Sequence, residues 1–100
     1  MTGQGMNSKS ELIKLAAWAT TRPINGLGAA LYPPDARLDE LGNVVRFSEY
    51  GNHSSLYGWE IDHRQPSALG GSNHATNLRA LSCRTNRSLG GLLGNALSNL

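Results

Sequence analysis

The stretch YGWEIDHRQP, residues 57–66, contains the pattern on which the interpretation of this chain depends. Apolar and charged residues alternate from Trp59 to Asp62, which predicts a strand with one apolar and one polar face. Pro66 has no N–H to donate to a neighbouring strand, so the strand is expected to end before it. The sequence therefore places Asp62 and His63 side by side at the end of a strand.

The segment that follows this strand predicts a loop and then a helix. Gly-Gly-Ser-Asn at residues 70–73 is typical of a loop. Apolar and small residues then recur at helical spacing over residues 77–89, where Thr76 or Asn77 is positioned to cap the helix. The glycine pair at residues 90–91 is expected to end it. The predicted order is strand, loop, helix.

These two predicted elements carry three residues that suit phosphodiester hydrolysis. The Asp62 carboxylate is a hard oxygen ligand of the kind that Mg²⁺ or Mn²⁺ prefers. The adjacent His63 is suited to taking a proton from water at neutral pH. Asn86, in the predicted helix, offers a neutral oxygen ligand. Residue type and spacing alone leave a buried or hydrogen-bonded structural histidine as the alternative for His63.

The N-terminal part of the chain predicts another helix. Ser8 and Glu11 form an S-x-x-E capping box ahead of apolar residues at helical spacing. Pro23 cannot continue a helix. We therefore expect a helix at residues 9–20.

Composition indicates one folded domain. The chain has 100 residues, of which 39% are hydrophobic and 16% charged, and this is enough for one modest core across residues 1–100. Residues 22–36 are interpreted as a loop and residues 44–47 as a short strand. A net charge of +2 permits a polyanionic partner without requiring one. No secretory signal or membrane-spanning run is apparent, so a cytoplasmic location is expected.

Taken together with their spacing, these residues resemble the motif of the HNH endonuclease family. The matching positions are the Asp62–His63 pair, Pro66, Gly70 and Gly71, Asn77 with Leu78 and Leu81, and Asn86. The upstream residues Arg37, Asp39, Gly42 and then Tyr50-Gly51-Asn52 resemble what precedes this motif in small stand-alone bacterial and phage HNH proteins. The resemblance covers about residues 35–90.

The resemblance implies an α+β fold, with a ββα-metal (His-Me finger) core and an added N-terminal helix. It implies that His63 is the general base, that Asp62 and Asn86 ligate Mg²⁺ or Mn²⁺, and that the Asn77 side chain holds the loop so that His63 points correctly. The implied reaction is hydrolysis of phosphodiester bonds in DNA, which is expected to be double-stranded. Glu60 shares the Asp62 face, and we favour an exposed strand position for it over a function in orienting the site.

The sequence departs from the family pattern where many members bind a structural zinc. Those members carry Cys-x-x-Cys before the final Asn or His, whereas Ser82 and Thr85 stand at these positions here and Cys83 is out of register. No structural zinc is therefore expected. Cys83 is interpreted as a small helix residue, and packing around Trp59 and the N-terminal helix must hold the fold instead.

Basic side chains near the motif are candidate contacts for nucleic acid. Arg64, Arg84 and Arg87 lie in the last 40 residues and are assigned to this function, although each alone also fits a solvated surface charge. His53 and His74 lie in predicted loops. Neither has a second ligand at metal-binding spacing, so both are expected to be surface residues.

Three functions stay open on sequence grounds. The first is a metal-dependent endonuclease, and the second is an HNH-fold module that holds DNA or a protein partner with weak or no cleavage. The third is a purely structural protein. The presence of Asp62, His63 and Asn86 together favours the first.

Overall fold

The computed structural model describes residues 8–66 and 69–88, which form a small α+β fold. In chain order the regular elements are α1 (Lys9–Trp18), β1 (Ala36–Leu38), β2 (Val44–Arg46), β3 (Trp59–His63) and β4 (Leu78–Ser82). Residues 83–88 are helical as far as the described chain extends, and this segment is α2. β1 pairs with β2 and β3 with β4, both antiparallel. Within the described ranges, no helix is long and apolar enough to cross a membrane.

The N-terminal helix forms where the capping pattern predicts it. The Ser8 hydroxyl accepts a hydrogen bond from the Glu11 backbone N–H at 3.1 Å, which satisfies one of the free donors at the start of α1. The helix ends at Trp18, two residues before the predicted end. There the Thr20 hydroxyl donates to the Ala17 carbonyl at 2.7 Å.

The helix predicted over residues 77–89 is wrong in its first part. Residues Leu78–Ser82 form β4, and α2 begins only at Cys83. Four of the five β4 residues are buried because α1 and β2 both pack against this strand. A strand that is buried in this way does not need to alternate polar and apolar residues. The three-residue spacing of Leu78 and Leu81 therefore also fits an amphipathic helix. The end predicted at residues 90–91 lies outside the described residues.

Trp59 lies at the centre of the core. It is fully buried, as are Leu78 and Leu81. The rings of Trp18 and Tyr50 pack against it, with centroids 4.9 Å and 4.8 Å from the Trp59 ring. Aromatic burial of this kind is among the largest contributions that a small core has. It fixes the start of β3 and therefore the position of the residues at its far end.

A buried carboxylate joins the first hairpin to the end of β4. Asp39 is fully buried, and its Oδ1 accepts from the backbone N–H groups of Leu41 and Asn43 at 3.0 Å and 2.8 Å. Its Oδ2 accepts from the Ser82 N–H at 3.0 Å. A buried charge with this many donors is compatible with folding. The β1–β2 turn is thereby held against the point where α2 begins.

Candidate active site

Asp62 and His63 are the last two residues of β3 and lie at one end of the two-stranded β3–β4 ribbon. Adjacent strand residues point to opposite faces, so Asp62 and His63 flank the end of the strand rather than sharing one side. Asp62 bonds to Arg79 on β4, and His63 bonds to Asn73 in the following loop. No hydrogen bond joins these two predicted site residues to each other within the described chain.

His63 is oriented by a residue that the sequence interpretation missed. Its Nε2 lies 2.7 Å from Asn73 Oδ1. Because an amide oxygen only accepts, this contact places the ring hydrogen on Nε2 and leaves the lone pair of a neutral ring on Nδ1. Asn73 carried only a loop signal in the sequence, and nothing in its spacing indicated a contact ten residues back.

Asn77 holds the loop between β3 and β4 at both of its ends. Its Oδ1 accepts from the Gln65 N–H at 2.8 Å, and its Nδ2 donates to the Ser72 carbonyl at 2.6 Å. Its backbone carbonyl accepts from the Arg64 N–H at 2.7 Å. Asn77 therefore acts on the backbone around His63 rather than on a substrate.

Asn86 reaches the polar face of β3 from α2. Its Nδ2 donates to Glu60 Oε1 at 3.0 Å, so its direct partner is Glu60 and not Asp62. Glu60 also faces His53, with Oε2 3.4 Å from His53 Nε2. The expectation of a plain exposed strand position for Glu60 is wrong, because the side chain is half-buried between two elements.

The oxygen donors on this face fit a hard divalent cation. Glu60 and Asp62 alternate onto the same side of β3, and Asn86 packs onto that side. Because Asn86 uses its amide nitrogen for Glu60, its amide oxygen is not engaged by that carboxylate. Two carboxylates and an amide oxygen are ligands that Mg²⁺ and Mn²⁺ prefer.

An ion-pair network surrounds Asp62. Arg79 Nε donates to Asp62 Oδ2 at 2.8 Å, and Arg79 Nη1 lies 3.6 Å from Glu40 Oε1. Arg64 donates to both carboxylate oxygens of Glu40. Hydrogen bonds from Arg64 are the main cause of a lowered pKa at Glu40, with the charge of Arg79 adding to it. Arg64, a predicted nucleic-acid contact, therefore has a carboxylate partner in this structure.

The other two predicted contacts for nucleic acid are exposed. Arg84 and Arg87 both lie on α2 with exposed side chains. Arg87 Nη2 donates to His53 Nδ1 at 3.2 Å. Because a histidine side chain carries no negative charge, this contact does not neutralise the positive charge of Arg87.

His53 is a surface residue as expected, but potential metal ligands lie beside it, which was not expected. Ligand atoms of His53, Glu60 and Cys83 all lie within 4.8 Å of one another. Burial raises the pKa of the Cys83 thiol, and the negative charge of Glu60 raises it further, against the opposing effect of Arg87. The thiol is thus protonated near neutral pH. His74, in contrast, is exposed and bonds to Thr76 within its own turn.

Comparison of the chain with protein-family models, with curated proteins and with solved structures found no significant match.

Proposed function

We propose that this protein is a metal-dependent endonuclease of the HNH type that hydrolyses phosphodiester bonds of DNA. The supporting observation is the 3.0 Å bond from Asn86 to Glu60, which joins α2 to the strand that ends in Asp62 and His63. Asn77 closes the loop between the two strands of this ribbon. We interpret the order strand, loop, strand and helix, with this set of residues, as a ββα-metal core of the kind that the resemblance implies.

His63 is the general base in this proposal. Its Nδ1 carries the lone pair, so it takes a proton from the water that attacks phosphorus. Asn73 keeps the ring hydrogen on Nε2 and fixes the ring plane. Since Asp62 and His63 flank the end of β3 from opposite faces, the proposal requires a phosphate that lies across that end and meets both side chains.

Asp62 and Asn86 would hold the cation, with Glu60 orienting the Asn86 amide. When bound, Mg²⁺ or Mn²⁺ supplies stabilisation of the charge on the phosphate and on the leaving 3′ oxygen. The exposed Arg84 and Arg87 lie on the same helix as Asn86 and offer positive charge to the DNA backbone.

One observation favours a second candidate, an HNH-fold module that binds nucleic acid and cleaves it weakly or not at all. The Arg79 guanidinium occupies Asp62 Oδ2 at 2.8 Å. A positive charge at this distance from the carboxylate opposes binding of a divalent cation there. In this alternative the Asp62–Arg79 pair is structural.

Plasmid nicking separates the two candidates. Supercoiled DNA is incubated with the wild-type chain, His63→Ala and His74→Ala, with Mg²⁺ or Mn²⁺ and with or without EDTA. We expect metal-dependent nicking by wild type and by His74→Ala, the matched histidine outside the site. Loss of the general base is expected to slow nicking about 100-fold or more in His63→Ala.

The outcomes of this experiment distinguish an enzyme from a contaminant and from a binding module. Equal nicking by wild type and His63→Ala would identify a contaminant and remove the support for an enzyme. A wild-type chain that retards DNA at moderate salt but nicks it with neither metal would establish the binding module instead.

A further inference from the structure

Three residues from separate parts of the chain meet beside the candidate active site. His53 comes from the turn that precedes β3, Glu60 from β3 itself, and Cys83 from the first position of α2. Their ligand atoms lie within 4.8 Å of one another. An imidazole nitrogen, a carboxylate oxygen and a thiol sulfur differ from the all-oxygen set around Asp62.

From this cluster we propose that His53, Glu60 and Cys83 form a second metal site, selective for a borderline transition metal such as Zn²⁺ or Co²⁺. Nitrogen, oxygen and sulfur ligands together suit these ions, whereas Mg²⁺ prefers oxygen alone. The site shares Glu60 with the oxygen-donor face of β3, takes its other two ligands, His53 and Cys83, from outside that face, and does not depend on nuclease activity.

The spacing of the ligands fits tetrahedral coordination. Metal–ligand distances of about 2.1 Å place neighbouring ligand atoms about 3.4 Å apart at tetrahedral angles. His53 Nε2 and Glu60 Oε2 are already 3.4 Å apart. Cys83 Sγ lies within 4.8 Å of both, so a small side-chain rotation brings it into range. Three protein ligands leave a fourth position for water.

The backbone holds the segments that carry His53 and Cys83 close together. The Gly58 carbonyl accepts from the Cys83 N–H at 2.9 Å, which fixes the start of α2 beside the strand. A Cβ at position 58 would lie 2.0 Å from the Asn52 carbonyl oxygen and 3.3 Å from Cys83 Sγ. Only a glycine lets the backbone before His53 approach this closely. The fold therefore brings the backbone that precedes His53 close to Gly58 and to Cys83.

Metal binding at this site changes the protonation of Cys83 and the hydrogen bond between His53 and Arg87. The Cys83 thiol loses its proton to solvent when sulfur binds the ion. Coordination through His53 Nε2 places the ring hydrogen on Nδ1, which then no longer accepts from Arg87. Occupation of the site thereby releases the Arg87 guanidinium, one of the exposed charges facing the nucleic acid in the proposed function.

Cobalt spectroscopy tests the site without any nuclease assay. The chelator-treated full chain is titrated with Co²⁺, and near-ultraviolet sulfur-to-cobalt charge-transfer absorption is measured together with the visible bands of four-coordinate cobalt. Since the chain has one cysteine, any such charge-transfer band identifies Cys83. We expect the charge-transfer band to saturate with one Co²⁺ bound through Cys83 and to disappear when Zn²⁺ displaces that ion.

Variants assign the other ligands. Removing a residue that only hydrogen-bonds to a metal ligand weakens metal affinity about 10–100-fold. Removing the ligand His53 itself, in His53→Ala, is therefore expected to weaken Co²⁺ binding by at least about tenfold. Because His53 is exposed, the His53→Ala variant is expected to fold, and circular dichroism checks its fold. Cys83→Ser is expected to lose the charge-transfer band. His74→Ala and Asp62→Asn are matched controls that keep the full spectrum.

A wild-type chain without charge-transfer absorption would overturn the proposal, as would His53→Ala binding Co²⁺ as tightly as wild type. Loss of the charge-transfer band in Asp62→Asn would show that binding of cobalt by Cys83 requires Asp62, which also contradicts a second site. Failure of nicking with an intact cobalt spectrum would count against the nuclease alone.

Discussion

Arg79 lies directly across the β3–β4 ladder from Asp62, and its Nε donates to Asp62 Oδ2 at 2.8 Å. In the proposed nuclease this guanidinium competes with the cation for the same carboxylate. Replacing Arg79 by Gln removes the repulsion, which is worth at least about 1 kcal/mol even when fully screened by water, so the Mg²⁺ concentration for half-maximal nicking should fall at least about fivefold. The measurement is the nicking rate as a function of Mg²⁺.

Arg46→Gln is the control for this variant. It also removes an arginine from a carboxylate, because Arg46 Nε bonds Asp35 Oδ1 at 2.8 Å in the other sheet. We expect lower stability and an unchanged Mg²⁺ requirement. If both variants shift the requirement equally, the effect reflects total charge and not the Asp62 contact.

Asn73 is predicted to be a positioning residue for His63. Asn73→Ala removes the acceptor for Nε2, so kcat should fall about tenfold or more while KM for DNA changes little. Asn73→Asp keeps an acceptor oxygen at the same place and should restore most of the rate. Equal loss in both variants would contradict an orienting hydrogen bond, and a change confined to KM would indicate a contact with DNA instead.

Gly58 is predicted to be intolerant of any side chain. An added Cβ would lie 2.0 Å from the Asn52 carbonyl oxygen, so the backbone must shift, and Gly58→Ala should destabilise the fold by about 3 kcal/mol or more. In Gly28→Ala the added Cβ would lie 3.6 Å from its nearest neighbour, Ile24 Cγ2. The free energy of unfolding of this variant should therefore change by no more than about 0.5 kcal/mol. Urea denaturation compares the two. Similar stabilities would contradict the close approach.

Asp35 is predicted to contribute stability that acid removes. Partial burial alone raises the pKa of Asp35, but the Ser48 backbone N–H and then the Arg46 guanidinium lower it to about 2. Because the folded pKa lies below the ordinary value of 3.8, the contribution is complete above about pH 4 and is lost as the pH falls towards 2.

Asp35→Asn tests this contribution. With allowance for solvent screening of this partly exposed pair, the variant should be about 1 kcal/mol less stable at pH 7, and the difference should narrow between pH 4 and pH 2. Free energies of unfolding from urea titrations at several pH values measure it. Glu49→Gln, in the neighbouring turn, is the charge-matched control. A difference that is constant with pH would contradict an ionised Asp35 as its source.

The sequence by itself determined the features that depend on local interactions. The Ser8 cap and apolar spacing predicted α1, because a hydroxyl three residues before a free N–H acts within one turn. Alternation from Trp59 onwards predicted β3, with Asp62 and His63 at its end. These patterns involve neighbours a few residues apart, and the chain alone is enough to specify them.

Tertiary structure decided the features that need two distant segments. Residues Leu78–Ser82 become a strand because β3 pairs with them and α1 and β2 bury them, although their apolar spacing also suits a helix. The partners of His63 and of Glu60 likewise come from a loop and a helix that local patterns do not relate to β3. Long-range pairing and burial are properties of the folded chain as a whole, so no window of sequence contains them.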